Sequence, residues 1–168
     1  MAGVIYQDAI NVIPNDTINI PQPGPIVSGT NSSNIAGNIR DASKDFRRQV
    51  TNPQGYNVGG GSVVYNGGNI GEVIEVFGTT PDELQCNGSF IPTIGPYEVY
   101  NGNYTTANSK SDGFSLYITG AGDLSVVTVF GNTVVIPVLA NSFLDLQVIR
   151  VNATGTTATG IIALQIQD

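Results

Sequence analysis

Apolar and polar residues alternate in short runs along most of the chain, with a period of two rather than the 3.6 of an amphipathic helix. The C-terminal third is the most regular. Residues 114–119 (FSLYIT) place Phe114, Leu116 and Ile118 on one face, and a turn at Gly120-Ala121-Gly122-Asp123 leads to a strand at 124–130 (LSVVTVF). Gly131-Asn132 predicts a two-residue hairpin turn, followed by a strand at 133–139 (TVVIPVL) broken at Pro137. Residues 144–151 (LDLQVIRV) predict a long strand in which Leu144, Leu146 and Val148 alternate. Its phase then slips to Ile149 and Val151, as at a bulge or where both faces are buried. After the connection NATGTTATG, a last strand runs from Ile161 to Ile166, with Ile162, Leu164 and Ile166 expected inward.

Upstream the pattern is less even. Residues 1–26 are punctuated by Pro14, Pro21, Pro23 and Pro25, which suits an edge strand or an extended arm. Residues 27–38 (VSGTNSSNIAGN) read as a linker. Residues 39–50 (IRDASKDFRRQV) are the one place where helical spacing appears: Ile39, Ser43, Phe46 and Val50 fall near one face, with Asn38 as cap and Asn52-Pro53 as stop. Residues 62–65 (SVVY) and 70–77 (IGEVIEVF) read as strands joined by Asn66-Gly67-Gly68-Asn69. Residues 89–100 are β-like with proline breaks, and 101–113 form a polar loop. Short strands separated by Gly, Asn and Pro predict an all-β fold, an antiparallel β-sandwich or jelly-roll-like barrel with one short helix at most. The expected layout is one compact domain: an arm and first strand at 1–26, an insertion at 27–112, and a C-terminal core at 113–168.

Composition sharpens this picture. Charged residues make up 11% of the chain, against roughly 25% in an ordinary domain. The polarity is carried by Asn, Thr, Ser and Gly, which favour turns and the solvent faces of strands. The net charge of −7 argues against nucleic acid as a partner. Four of the six basic residues, Arg40, Lys44, Arg47 and Arg48, cluster in the helix-like segment. The plain reading of this segment is a short surface helix packed on the core; the sharper one is that Arg40, Lys44, Arg47 and Arg48, together with Phe46, form a surface that docks on an acidic partner. The opening MAGVIYQDAINVIP has no basic n-region or long apolar run, so no standard secretory leader is expected, and no stretch has the ~18 apolar residues of a membrane span.

The chain contains no histidine and one cysteine, Cys86. A Ser–His or Cys–His nucleophile has no base, an internal disulfide has no partner, and zinc has no ligand set. Glu72 and Glu75 have opposite parity on one predicted strand, so they are not read as a glycosidase pair. The glycine-rich loop at 53–61 lacks the GK[ST] of a phosphate loop. Asp112 and Asp123 are the nearest thing to a calcium site, without a recognised loop pattern. The Asn-x-Ser/Thr triplets at Asn15, Asn31, Asn87, Asn103 and Asn152 read as turn residues. No catalytic residue, metal or cofactor is expected.

Two segments resemble a known family. Leu116-Tyr117-Ile118, Gly120-Ala121-Gly122-Asp123, Arg150-Val151 and Ala153-Thr154-Gly155-Thr156-Thr157-Ala158-Thr159 resemble the pattern of the head spike base proteins of tailed phages and gene-transfer agents. Val12 to Gly24 (VIPNDTINIPQPG) looks like that family's opening strand. Residues 27–112 stand where its members pass almost directly from that strand to the LYV-type one. The resemblance implies a non-enzymatic virion protein on the capsid exterior, assembled in the host cytoplasm. It implies the major capsid protein as partner, a spike or fibre protein as a further one, and a trimer or pentamer of the chain, with no membrane. The motif residues Gly120, Gly122, Asp123, Arg150, Gly155, Thr156 and Thr157 then have structural roles: Gly155 permits a turn and the threonines pair across strands. An alternative is a receptor- or glycan-binding module of a tail fibre, using Tyr56, Tyr65, Tyr97, Tyr100 and Tyr104 of the insertion to stack on sugars.

Overall fold

The computed structural model describes residues 6–46, 58–76, 82–102 and 113–166. The architecture is all-β and antiparallel in every strand pair, consistent with the sandwich or jelly-roll class. The chain forms two compact units: Met1–Pro23 with Asn103–Asp168, and Gly24–Gly102.

The first unit holds one six-stranded sheet. Its strands are β1 (Tyr6–Asn11), β8 (Phe114–Gly120), β9 (Gly122–Thr128), β10 (Thr133–Val138), β11 (Ser142–Val151) and β12 (Thr159–Ile166), in the order β1-β12-β8-β11-β9-β10. β1 is an edge strand, and the prolines that follow it lie outside strands. The segment after β1 is tied down by Asn15 N–H to Val151 C=O (2.9 Å) and Ile20 N–H to Ile149 C=O (2.9 Å). This buries Ile18 and Ile20. Phe114, Leu116 and Ile118 are buried as the alternation predicts.

The phase slip in β11 is a real irregularity. Residues 142–144 pair with β8, Val148 onward pairs with β9, and the register shifts on both sides of Val148. Two readings of this unit need correction. The β9–β10 hairpin closes through Val129-Phe130-Gly131, with Gly131 at φ 83° and Thr128 N–H bonded to Asn132 C=O. It is therefore a three-residue turn with glycine in the left-handed position, not a two-residue turn at Gly131-Asn132. In β12 the buried side chains are Ile161 and Ala163, while Ile162 and Leu164 are half-buried. The expected inward set was one residue out of phase, because the size of Ile and Leu outweighed small Ala163 in the reading.

The second unit holds the other sheet: β2 (Val27–Asn31), β3 (Asn38–Arg40), β4 (Val63–Asn66), β5 (Asn69–Val76), β6 (Glu83–Cys86) and β7 (Gly95–Tyr100), in the order β2-β7-β4-β5-β6-β3. β4 and β5 form the expected hairpin, with both Gly67 (φ 58°) and Gly68 (φ 85°) left-handed, as a type I′ turn requires. The segments read as linker and helix are strands: 27–31 is β2, and 38–40 is β3. No helix occurs among the described residues of 39–50, and 47–50 lie outside the description. β2 and β3 are the two outer strands of this sheet, yet Ser32 N–H donates to Arg40 C=O (2.8 Å), so the sheet curls and its edges meet. Its core is Val27, Ile39, Phe46, Val58, Val64, Val73, Leu84, Cys86, Phe90, Tyr97 and Val99.

Candidate functional site

The residues of the first unit that carry the resemblance come together around the start of β9. After β11, the loop 152–158 turns back along β9 and supplies it with a second set of bonding partners. Asn152 N–H donates to Ser125 C=O (2.9 Å), and Thr157 N–H and Ala158 N–H both donate to Asp123 C=O (2.8 and 3.0 Å). In return Asp123 N–H donates to Thr157 Oγ1 (2.9 Å) and Ser125 N–H to Thr156 Oγ1 (3.0 Å). Gly155 turns the loop at φ 83°. The threonine hydroxyls therefore accept from the β9 backbone, where cross-strand pairing was expected. Arg150 Nε–H donates to Asn152 Oδ1 (3.0 Å), and Asn152 Nδ2–H donates to Ser125 Oγ (3.1 Å), which fixes the loop's root.

The two segments that carry the resemblance are bonded to each other. The carboxylate of Asp16, in the opening IPNDT stretch, accepts from Thr154 N–H and from Thr154 Oγ1–H, each at 2.8 Å. The Thr154 bonds hold Asp16 below the usual carboxylate range. Asn15 shapes the same stretch by accepting from Thr17 N–H and Ile18 N–H. A carboxylate pinned in this way keeps its contribution above its unfolded value and loses it as pH falls through the lowered folded one. The protection of the Thr154 amide, its exchange rate measured by NMR relative to that of an unstructured chain at the same pH, is thus expected to be high at neutral pH and to fall on acidification. Asp16→Ala is expected to remove that protection at every pH.

Gly122 explains the tight junction between β8 and β9. Its φ is 154°, and a Cβ there would stand 2.6 Å from Ala158 N and 2.7 Å from Thr157 Oγ1. Gly122→Ala is expected to lift the loop from β9 and to cost about 2–3 kcal/mol in denaturant unfolding.

Three of the five residues offered for docking, Arg40, Lys44 and Phe46, are among those described. Arg40 lies on β3 and pairs with Asp82 (3.1 Å) and Glu83 (3.5 Å). Phe46 is fully buried, with its ring edge-on to Tyr97 at 6.2 Å. Lys44 is half-buried, its N–H donating to Asp41 C=O (3.0 Å), and Arg47 and Arg48 lie outside the described residues. The helical spacing had identified genuine core positions in Ile39 and Phe46, but the chain between them turns on Asp41.

That aspartate was not singled out by the sequence. Asp41 accepts from Ser43 N–H (3.0 Å) and Ser43 Oγ–H (2.6 Å) at one oxygen, and from Thr30 N–H (3.2 Å) and Tyr97 O–H (3.1 Å) at the other. Asn31 does similar work. Its Oδ1 accepts from Ser33 N–H and Arg40 N–H, and its Nδ2 donates to Ser33 C=O and Thr93 C=O. Asp-x-Ser and Asn-x-Ser were the available signals, since both spacings favour side-chain-to-backbone turns.

Of the tyrosines offered for sugar stacking, Tyr97 and Tyr100 are buried, Tyr65 is half-buried, and Tyr56 and Tyr104 lie outside the described residues. Asp112 also lies outside them, and no group of three or more His, Cys, Asp or Glu residues able to hold a metal occurs among those described. Cys86 is a free, buried thiol pushed up to about 12 by burial. It is expected to ignore a thiol reagent at about pH 8 while the protein is folded and to react once denaturant is added.

No family model, curated protein or solved structure matches the chain.

Proposed function

We propose that the chain is a non-enzymatic structural protein of a tailed-phage-type particle, bound to the capsid exterior as a decoration, cement or head spike base component. The observation that carries this reading is the bond between Asp16 and Thr154, which unites the opening segment and the ATGTTAT loop that resemble the spike base family. The hydroxyls of Thr154, Thr156 and Thr157 are all engaged within the unit. That is how a load-carrying scaffold uses polar side chains, by satisfying backbone rather than by facing a cleft. The absence of histidine from the sequence is in keeping with a role without acid–base chemistry. The partner in this reading is the major capsid protein, with a spike or fibre protein as a further one, and the chain works as a symmetric homo-oligomer.

Quantitative mass spectrometry across a density gradient of purified particles tests the reading. The chain is expected to follow the major capsid protein through the gradient at a fixed ratio. Its loss from intact particles would overturn the proposal.

A further inference from the structure

β10 is the outer strand of the first sheet, and most of it is open. Val134, Val135 (57% exposed) and Pro137 are exposed, and Ile136 and Val138 are only half-buried. Large apolar side chains also stand open at its two ends, Phe130 (88%) and Leu139 (77%). Phe130, Val134, Val135 and Leu139 leave on the order of 400–500 Å² of apolar surface in water along this edge, divided between the two faces of the strand, taking roughly 150–200 Å² for each fully exposed side chain. That is about half of the roughly 800 Å² that each partner buries in a stable interface, and a paired strand edge adds its backbone hydrogen bonds to it.

Charge singles out the same stretch. From Leu124 to Leu144 the sequence carries no charged residue, although the chain as a whole is at −7. Two copies repel each other over most orientations. They escape that repulsion when they meet through β10. Outer strands of soluble sheets are usually blunted by lysine or another charge, and here only Pro137 stands in that role.

The direction of the backbone groups fits an added strand. Thr128 N–H bonds to Asn132 C=O, so Asn132, and by alternation Val134, Ile136 and Val138, turn their polar groups towards β9. Thr133, Val135 and Pro137 turn theirs outward. Pro137 thus sits where its missing N–H costs the sheet no bond.

We propose that β10 is a self-association edge, taking β10 of a second copy of this chain in antiparallel register about a two-fold axis near Val134. Thr133 of each copy then exchanges both of its bonds with Val135 of the other, and no bond requires the nitrogen of Pro137. The contact is isologous, so the same charge-free apolar strand meets itself. This inference rests on β10 alone, and its two-fold pairing differs from the trimer or pentamer that the resemblance implies.

Sedimentation velocity over a concentration series tests it, with Val135→Lys as the variant. Val135 faces solvent, so the variant is expected to keep the wild-type far-UV spectrum and melting temperature. The wild type is expected to form dimers, and Val135→Lys to weaken them by at least about tenfold. As a second readout, exchange of the wild-type Thr133 and Val135 amides is expected to slow as concentration rises. A wild type that stays monomeric at ~100 µM would overturn the proposal and leave β10 to a different partner. An odd-numbered assembly, a variant that dimerises as well as the wild type, or amides whose exchange ignores concentration would also overturn it.

Discussion

Phe46→Ala is expected to destabilise the second unit by about 3–5 kcal/mol, the range for deleting a fully buried aromatic ring. Phe46 has no exposed surface and lies among Ile39, Leu84, Tyr97 and Val99 in the core of that unit. Removing the ring takes away its burial and its edge contact with Tyr97, and leaves a cavity that the curled sheet cannot close without shifting β7. Urea unfolding followed by far-UV circular dichroism reads the effect as a lower midpoint at unchanged slope. The result separates two roles. A docking residue would leave the midpoint where it was and weaken attachment to a partner. A core residue moves the midpoint, and that is the outcome expected here.

The second large effect is at Asp41. Burial pushes this carboxyl up, but the bonds from Ser43, Tyr97 and Thr30 outweigh it and hold it below its ordinary value of 3.8. Asp41→Ala removes the bond that the buried Tyr97 hydroxyl gives to Asp41 and frees the backbone of β2 from the turn after β3. The expected cost is roughly 2–4 kcal/mol, since four bonds to one charged acceptor are lost and a bond to a charged acceptor is worth more than a neutral one. The pH dependence has a definite sign. A lowered folded value means that the contribution is complete above the unfolded value and disappears as pH falls through the folded one. The gap between wild type and Asp41→Ala is therefore expected to be widest near neutrality and to narrow below about pH 4. Gly29 reinforces the same junction. A Cβ on it would overlap Asp41 Oδ2 and stand 2.9 Å from Tyr97 Cε1 and its hydroxyl, so the turn needs glycine at that point for space alone.

The C-terminal sheet was legible because its signals are local. Phe114, Leu116 and Ile118 alternate without interruption, and the β11 slip is visible where Val148 is followed directly by Ile149 and the alternation resumes at Val151. The turn Gly67-Gly68 announces a type I′ hairpin by composition. The segment 27–46 was misread because its structure is imposed by distant partners. β3 is three residues long and exists through its pairing with β6. The turn after it exists because Asp41 meets Thr30 and Tyr97, far away in the chain. Helical spacing between Ile39 and Phe46 was a true core signal attached to the wrong local geometry. The motif residues were identified by resemblance, but the use of their hydroxyls on the β9 backbone was not, because side-chain-to-backbone bonding between remote segments leaves no periodic trace. The apolar edge of β10 did leave one, in the charge-free run from Leu124 to Leu144, and it reads as ordinary strand until the fold shows that no described strand pairs with its outer edge.

Cryo-electron microscopy of purified particles tests the proposed role most directly. The account predicts that density for this chain lies on the outer surface of the capsid, between or over capsomers, with both of its six-stranded sheets recognisable. Density at the tail tip, or none on the particle, would contradict it.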